Sequence, residues 1–277
     1  MPLFPSRRKG LGALIEGPRE TRAPGIEKLR LGKSMHSSAT LEHFIPTVDG
    51  RRLILDQGAT SSCVAHAFIA AIHIAEVRAR LPFAPCSRLF AYYNARRLMD
   101  PQVLPIVDDS GTYPRTCAEG LAKFGVPDEE YWPFSTFTFK VNRRPNYTAM
   151  TMANPRTGGS YVKIYERGDQ RLSAIESAIV AGHPVVFGTT VRESFLDMHG
   201  PDFVQIQEGD IAGGHAMAIV GFEPFLGRMR YRVLNSWGPK WRDGGLVWLD
   251  QSLIASDEAD DFHVLYGWKR LQGLQGA

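Results

Sequence analysis

The chain changes its hydrophobic periodicity near the middle, and that change restricts the fold more than any other feature. From Cys63 to about Arg80, the apolar positions Val64, Ala67, Phe68, Ala71, Ile72, Ala75 and Ala79 follow an i, i+3, i+4, i+7 spacing. That spacing lines one face of an α-helix. Ser61 and Ser62 stand where a capping side chain is expected. Further helices are predicted over Ser87–Met99 and over Pro114–Phe124, the latter ended by Gly125. After one more helical stretch, Leu172–Ala181, the runs become short and β-type: Val185–Val191, His215–Phe222, Arg230–Leu234 and Leu246–Leu249. A helical first half and a β-rich second half predict an α+β protein of two lobes. The helical lobe is placed at about 56–150 and the β lobe at about 151–270, with a site in the cleft between them.

Residues 1–38 read as a separate N-terminal extension, irregular because Pro5, Pro18 and Pro24 interrupt any long helix, with the catalytic-size body spanning 39–277 and compact structure starting near Leu41. The first 34 residues carry eight basic and three acidic side chains. This charge suits a solvated tail or, more sharply, a docking or autoinhibitory pro-segment that meets a partner. The whole chain is only +3, which gives no reason to expect nucleic acid or a membrane as partner. Arg7, Arg8 and Lys9 precede an apolar run, Gly10–Ile15, too short for a secretory signal. No stretch reaches the length of a membrane span. Three cysteines, Cys63, Cys86 and Cys117, are too few and odd in number for a disulfide framework. A reducing, cytoplasmic setting is expected.

Cys63 lies at the first turn of the predicted helix, where free backbone N–H groups and the helix dipole favour a thiolate. Position alone does not make it reactive, because many helix-start cysteines are inert small hydrophobes. A second piece is Gly213-Gly214-His215-Ala216, and a third is Asn235-Ser236-Trp237-Gly238, joined through Pro224-Phe225-Leu226-Gly227. A hairpin turning near residue 225 sets His215 opposite Asn235. An Asn there fixes the imidazole tautomer and frees the other nitrogen for a thiol. Taken singly, His215 reads equally as a core histidine and Asn235 as a turn residue. His66, three residues beyond Cys63, has no third ligand at metal spacing, so no metal is expected.

Together, Gln57 six residues before Cys63, Gly214-His215-Ala216 and Asn235-Ser236-Trp237-Gly238 resemble the signature blocks of the papain family of cysteine peptidases, over roughly residues 41–270. The resemblance implies a papain-like two-lobe fold, a helical N-terminal lobe and an antiparallel β-rich C-terminal lobe. It implies Cys63 as nucleophile, His215 as general base and acid, Asn235 as its orienting partner, and Trp237 packed over that contact. Gln57 would donate to the oxyanion, and the Cys63–His215 pair would sit as thiolate–imidazolium. No cofactor is implied, and the partner is a peptide or protein substrate. Gly111 and Thr112, in Ser110-Gly111-Thr112-Tyr113-Pro114, correspond to the substrate-pairing glycines. Gly188, Gly214 and Ala216 imply a roomy apolar specificity pocket.

The chain departs from the family pattern at Thr60, where a disulfide cysteine is usual, at Ser61 and Thr112, where glycines are usual, and at Val64, where tryptophan is usual. The disulfide-poor form looks like bacterial or phage-encoded members. The expected activity is a cysteine endopeptidase. A deamidase or transglutaminase-like acyl transferase on the same scaffold, and a non-catalytic peptide-binding module, are the alternatives.

Overall fold

A computed structural model describes residues 10–14, 23–32, 36–99, 102, 105–153 and 159–268. The first lobe is built on three helices, α1 (Cys63–Arg78), α2 (Arg88–Met99) and α3 (Pro114–Phe124). α1 is the central one, with residues 63–74 buried without interruption. A helix apolar on all sides must lie inside a protein, and α1 does, packing against α2 and α3 on one side and the β lobe on the other. α3 begins with Pro114 in its first turn and stops at Gly125, whose φ of +67° few other residues adopt. Two short helices, α4 (Thr138–Val141) and α5 (Tyr147–Met152), complete the lobe.

The second lobe is a mostly antiparallel sheet. Its strands are β4 (Ser160–Lys163), β5 (Val185–Arg192), β6 (Phe203–Val204), β7 (Ile211–Phe225), β8 (Arg228–Leu234), β9 (Leu246–Asp250) and β10 (Ala259–Tyr266). They run in the order β4-β10-β5-β7-β8-β9-β6, and β1 (Ala39–Thr40) joins β7 from outside that path. A separate two-stranded ribbon, β2 (Thr47–Val48) and β3 (Arg51–Arg52), precedes α1. Helix α6 (Gly168–Val180) and the short α7 (Gln251–Ala255) cover the sheet. Arg171 of α6 is buried and donates to the carbonyls of Ile254, Ser256 and Ala259, which ties α6 to the turn before β10. The architecture is the expected α+β arrangement, a helical lobe followed by a mostly antiparallel β lobe.

Three local expectations need correction. The β7–β8 hairpin turns at Leu226-Gly227, with φ of +50° and +77°, the positive values a two-residue hairpin turn requires. Pro224 and Phe225 stay in the ladder opposite Met229 and Arg228, and a bulge follows between Ile219 and Gly221. β8 therefore ends with Leu234 opposite Ala218, so Asn235 lies beyond the ladder and not opposite His215. Ser62 occupies the N-cap position of α1 but makes no capping bond; its hydroxyl is engaged by Thr60 and His66 instead. Burial also starts well before Leu41, at Ala13, Ala23 and Ile26.

Candidate active site

Cys63 is the first residue of α1 and is fully buried. The segment ahead of it is held against the start of the Asn235 block. Gln57 N donates to the Ser236 carbonyl at 2.9 Å, Gly238 N donates to the Leu55 carbonyl at 3.0 Å, and Asp56 bridges Trp237. This pairing brings the Gln57–Cys63 loop of one lobe onto the 235–238 loop of the other.

His215 lies on β7, one residue before Ala216, whose backbone acts to lower the Cys63 thiol against the effect of burial. His215 Nε2 and Asn235 Oδ1 are 2.7 Å apart. The amide orientation of Asn235 is fixed by the Ser236 backbone N–H, which donates to the same oxygen at 2.7 Å. Because Oδ1 only accepts, Nε2 must carry the hydrogen and Nδ1 is the basic nitrogen. Trp237 is stacked on His215, 4.5 Å between centroids and 27° between planes. Phe195 and Trp241 pack on Trp237 in turn. The aromatic cluster shields the His215–Asn235 bond, which strengthens it in a low dielectric.

Gln57 is buried, with its side chain held from both ends. Its Oε1 accepts from Ser236 Oγ at 2.6 Å, and its Nε2 donates to the Thr60 carbonyl at 2.8 Å and to the Gly10 carbonyl at 3.0 Å. The Ser236 contact directs the amide N–H groups of Gln57 towards the Cys63 loop.

A hydrogen-bonded chain stands where the family pattern has a disulfide cysteine. Thr60 Oγ1 donates to the Gln57 carbonyl at 2.8 Å and meets Ser62 Oγ at 2.6 Å, which lies 3.2 Å from His66 Nδ1. A second chain fastens this loop to the Gly111 segment. Ser61 N donates to Asp109, Tyr92 Oη donates to the same carboxylate, and Gly111 N donates to Tyr92 Oη. Sequence reasoning missed Ser236, Asp109 and Tyr92. The sequence signal for Ser236 was its place between Asn235 and Trp237, whereas Asp109 and Tyr92 meet only through tertiary packing.

Of the substrate-side residues, Gly111 has φ +78° and Thr112 is not in the positive-φ region. The constraint reserved for glycine thus falls on Gly111, and Thr112 offers both backbone groups in an ordinary conformation. Gly188 and Ala216 pair directly across β5 and β7, and Gly214 pairs with Thr190 in the same ladder.

The cleft is occupied by the chain itself. Gly10 N donates to the Gly58 carbonyl, Gly12 N and Ala13 N to the Gly214 carbonyl, and Leu14 N to the Thr112 carbonyl, while Thr112 N donates to the Gly12 carbonyl. Trp237 Nε1 lies 3.4 Å from the Gly10 carbonyl. Under this cover, burial pushes the Cys63 thiol up to about 11, against the opposing pull of backbone groups from Ala216, Gly12, Val64 and Ala13. Burial likewise lowers His215 to about 4, against the bond to Asn235. Both shifts run against the expected thiolate–imidazolium pair, because burial excludes the water that would solvate the ions.

The Papain family cysteine protease model matches residues 52–258. An uncharacterized peptidase C1-like protein of Acanthamoeba polyphaga mimivirus is 34% identical over 222 residues, covering 76% of this chain and 68% of that protein. The fold is similar to xylellain, a cysteine protease from Xylella fastidiosa, with TM-score 0.73, 25% identity and coverage of 96% and 98% of the two chains. It is also similar to the Carica candamarcensis cysteine protease CMS1MS2 in complex with E-64, with TM-score 0.61, 16% identity and coverage of 83% and 98%. With the family model spanning most of the chain and the fold agreeing throughout, this protein belongs to the papain family of cysteine proteases and is a cysteine-type peptidase.

Proposed function

We propose that the chain is an endopeptidase that cleaves peptide bonds through an acyl-thioester on Cys63. His215 Nδ1 takes the thiol proton and returns it to the leaving amine, and a water activated by the same nitrogen releases the acyl group. Asn235 holds the imidazole in the required tautomer, with Trp237 over the bond. Gln57 Nε2 and the Cys63 backbone N–H receive the oxyanion. The observation that carries this reading is the His215–Asn235 bond, which leaves Nδ1 as the basic nitrogen. Thr112 and Gly111 would pair with the substrate backbone. The small residues Gly188, Gly214 and Ala216 favour an apolar residue two positions before the cleaved bond. Three unpaired, buried cysteines suit a reducing, cytoplasmic compartment.

The reading is tested with fluorogenic peptides carrying apolar penultimate residues, assayed with the full chain and with a form lacking residues 1–20. Hydrolysis that disappears in Cys63→Ala is expected. Labelling of Cys63 by an epoxide without cleavage of any peptide in a diverse set would instead indicate acyl transfer to another acceptor.

A further inference from the structure

Away from the groups that touch substrate in our reading, a hydrogen-bonded circuit joins two stretches of backbone that the reaction uses. Ser61, two residues before the nucleophile, donates its backbone N–H to Asp109 Oδ2 at 2.9 Å. Tyr92 Oη donates to the other carboxylate oxygen, Oδ1, at 2.6 Å. The same Tyr92 oxygen accepts from the backbone N–H of Gly111 at 2.9 Å. One carboxylate and one phenol thus connect the loop that presents Cys63 to the segment Gly111-Thr112, which pairs with substrate in that reading.

Donor and acceptor match at every step of the circuit. An ionised carboxylate only accepts, so Asp109 takes the Ser61 N–H and the Tyr92 O–H at once. A hydroxyl has a single proton to give, and Tyr92 directs it to Asp109, which leaves its lone pairs for the Gly111 N–H. Tyr92 is buried, and burial pushes its hydroxyl above the ordinary value, so it stays a donor. Bonds to an ionised acceptor are roughly twice as strong as neutral ones.

Helix α2 supplies the frame for this circuit. Tyr92 and Arg96 lie one turn apart on it, with the Arg96 guanidinium 3.9 Å from the centroid of the Tyr92 ring. Arg96 is buried and donates to the Asp108 carbonyl at 2.7 Å and to Asn142 Oδ1 at 2.6 Å. Asn142 Nδ2 in turn donates to the Val107 carbonyl at 2.6 Å. Residues 107–111 are therefore fastened to α2 from both ends, and Asp109 meets Ser61 from a fixed base.

We propose that Asp109 and Tyr92 are positioning residues for the reaction. Acting as one unit, they set the spacing between the Cys63 backbone N–H, which receives the oxyanion, and the Gly111-Thr112 backbone, which holds the substrate. The proposal rests on the peptidase reading for the roles of these two segments, but not for the coupling between them. Asp109 touches Ser61 and Tyr92 touches Gly111, yet loss of either residue moves both segments. A displaced oxyanion donor lowers kcat, and a displaced substrate segment raises KM.

The test places Tyr92→Phe and Asp109→Ala in the full chain. It reads amide hydrogen exchange at Ser61 and Gly111 by NMR, together with hydrolysis of a fluorogenic peptide. Tyr92→Phe is expected to speed exchange about tenfold at Gly111 and, through Asp109, at least about threefold at Ser61, which Tyr92 does not touch. Asp109→Ala is expected to give the reverse pattern. In each variant kcat/KM should fall about tenfold, with kcat lowered and KM raised, and the double variant should lose little more. A merely structural role would lower the fraction of active protein and leave KM where it was. If Asp109→Ala fails to fold, Tyr92→Phe decides alone, since it keeps the ring and removes only the hydroxyl. Exchange that rises only at the amide each variant touches, or a KM that does not move, would overturn the proposal. Coupled exchange in a chain that hydrolyses no peptide would leave the coupling standing and count against the peptidase reading.

Discussion

His215→Ala is expected to lower kcat/KM for a fluorogenic peptide by about 10³–10⁴-fold, measured on the form lacking residues 1–20. The size follows from two losses at one position. In the proposed mechanism the imidazole is the group that takes the thiol proton and the group that returns it to the leaving amine. Cys63 at the start of α1 would retain only the help of the helix N-terminus, which lowers a thiol pKa but does not move its proton in the transition state. The folded state should survive, because among the described residues the ring's only hydrogen bond is the one to Asn235, and the stacked Trp237 is held independently by Phe195 and Trp241. Adding Cys63→Ala to the same protein should cost little more, as groups that act as a unit are not additive. A loss below tenfold for His215→Ala would assign the base elsewhere.

Gln57→Ala is expected to cost about 10²–10³-fold in kcat with little change in KM. The amide is buried, aimed by Ser236 Oγ, and already bonded to a peptide carbonyl, that of Gly10. In the proposed mechanism a developing oxyanion takes the place of that carbonyl oxygen. Gln57→Glu gives a control of similar shape: its ionised carboxylate cannot donate, so the loss should match that of alanine. If Glu restored activity, the role of Gln57 would be to fill space and to hold the Thr60 loop.

Much of this site can be read along the chain. Cys63 at the start of an apolar helix, and Gln57 six residues earlier, are local features, and α3 was bounded correctly by Pro114 and Gly125 because both residues act on their own backbone. The hairpin joining His215 to Asn235 was legible as a hairpin but not in its register. Pro224 suggested a turn, yet the positive φ needed for one fell at Leu226-Gly227, and the bulge near Gly221 left no mark in the sequence. The His215–Asn235 contact survived that error because the Asn235 side chain reaches back from beyond the strand. β10 went unrecognised because Asp260, Asp261 and His263 break its apolar pattern, although it lies between β4 and β5.

The occupant of the cleft was the least legible part. Gly10–Leu14 reads as a short apolar run in a basic tail, and its partners Gly58, Thr112 and Gly214 are distant in sequence. The one local hint was a pair of glycines two residues apart, which is what a strand lying flat against another backbone needs. The shifts of Cys63 and His215 were not legible for the same reason: the sequence shows the two residues but not the cover that buries them.

The acyl-thioester on Cys63 is the centre of this account, and it can be caught directly. The form lacking residues 1–20 is mixed with an ester substrate, quenched in acid within the first turnover, and analysed by intact mass and peptide mapping. The account predicts one added acyl group, on the peptide containing Cys63 and absent from Cys63→Ala. Acylation of another residue, or full turnover by Cys63→Ala, would contradict it.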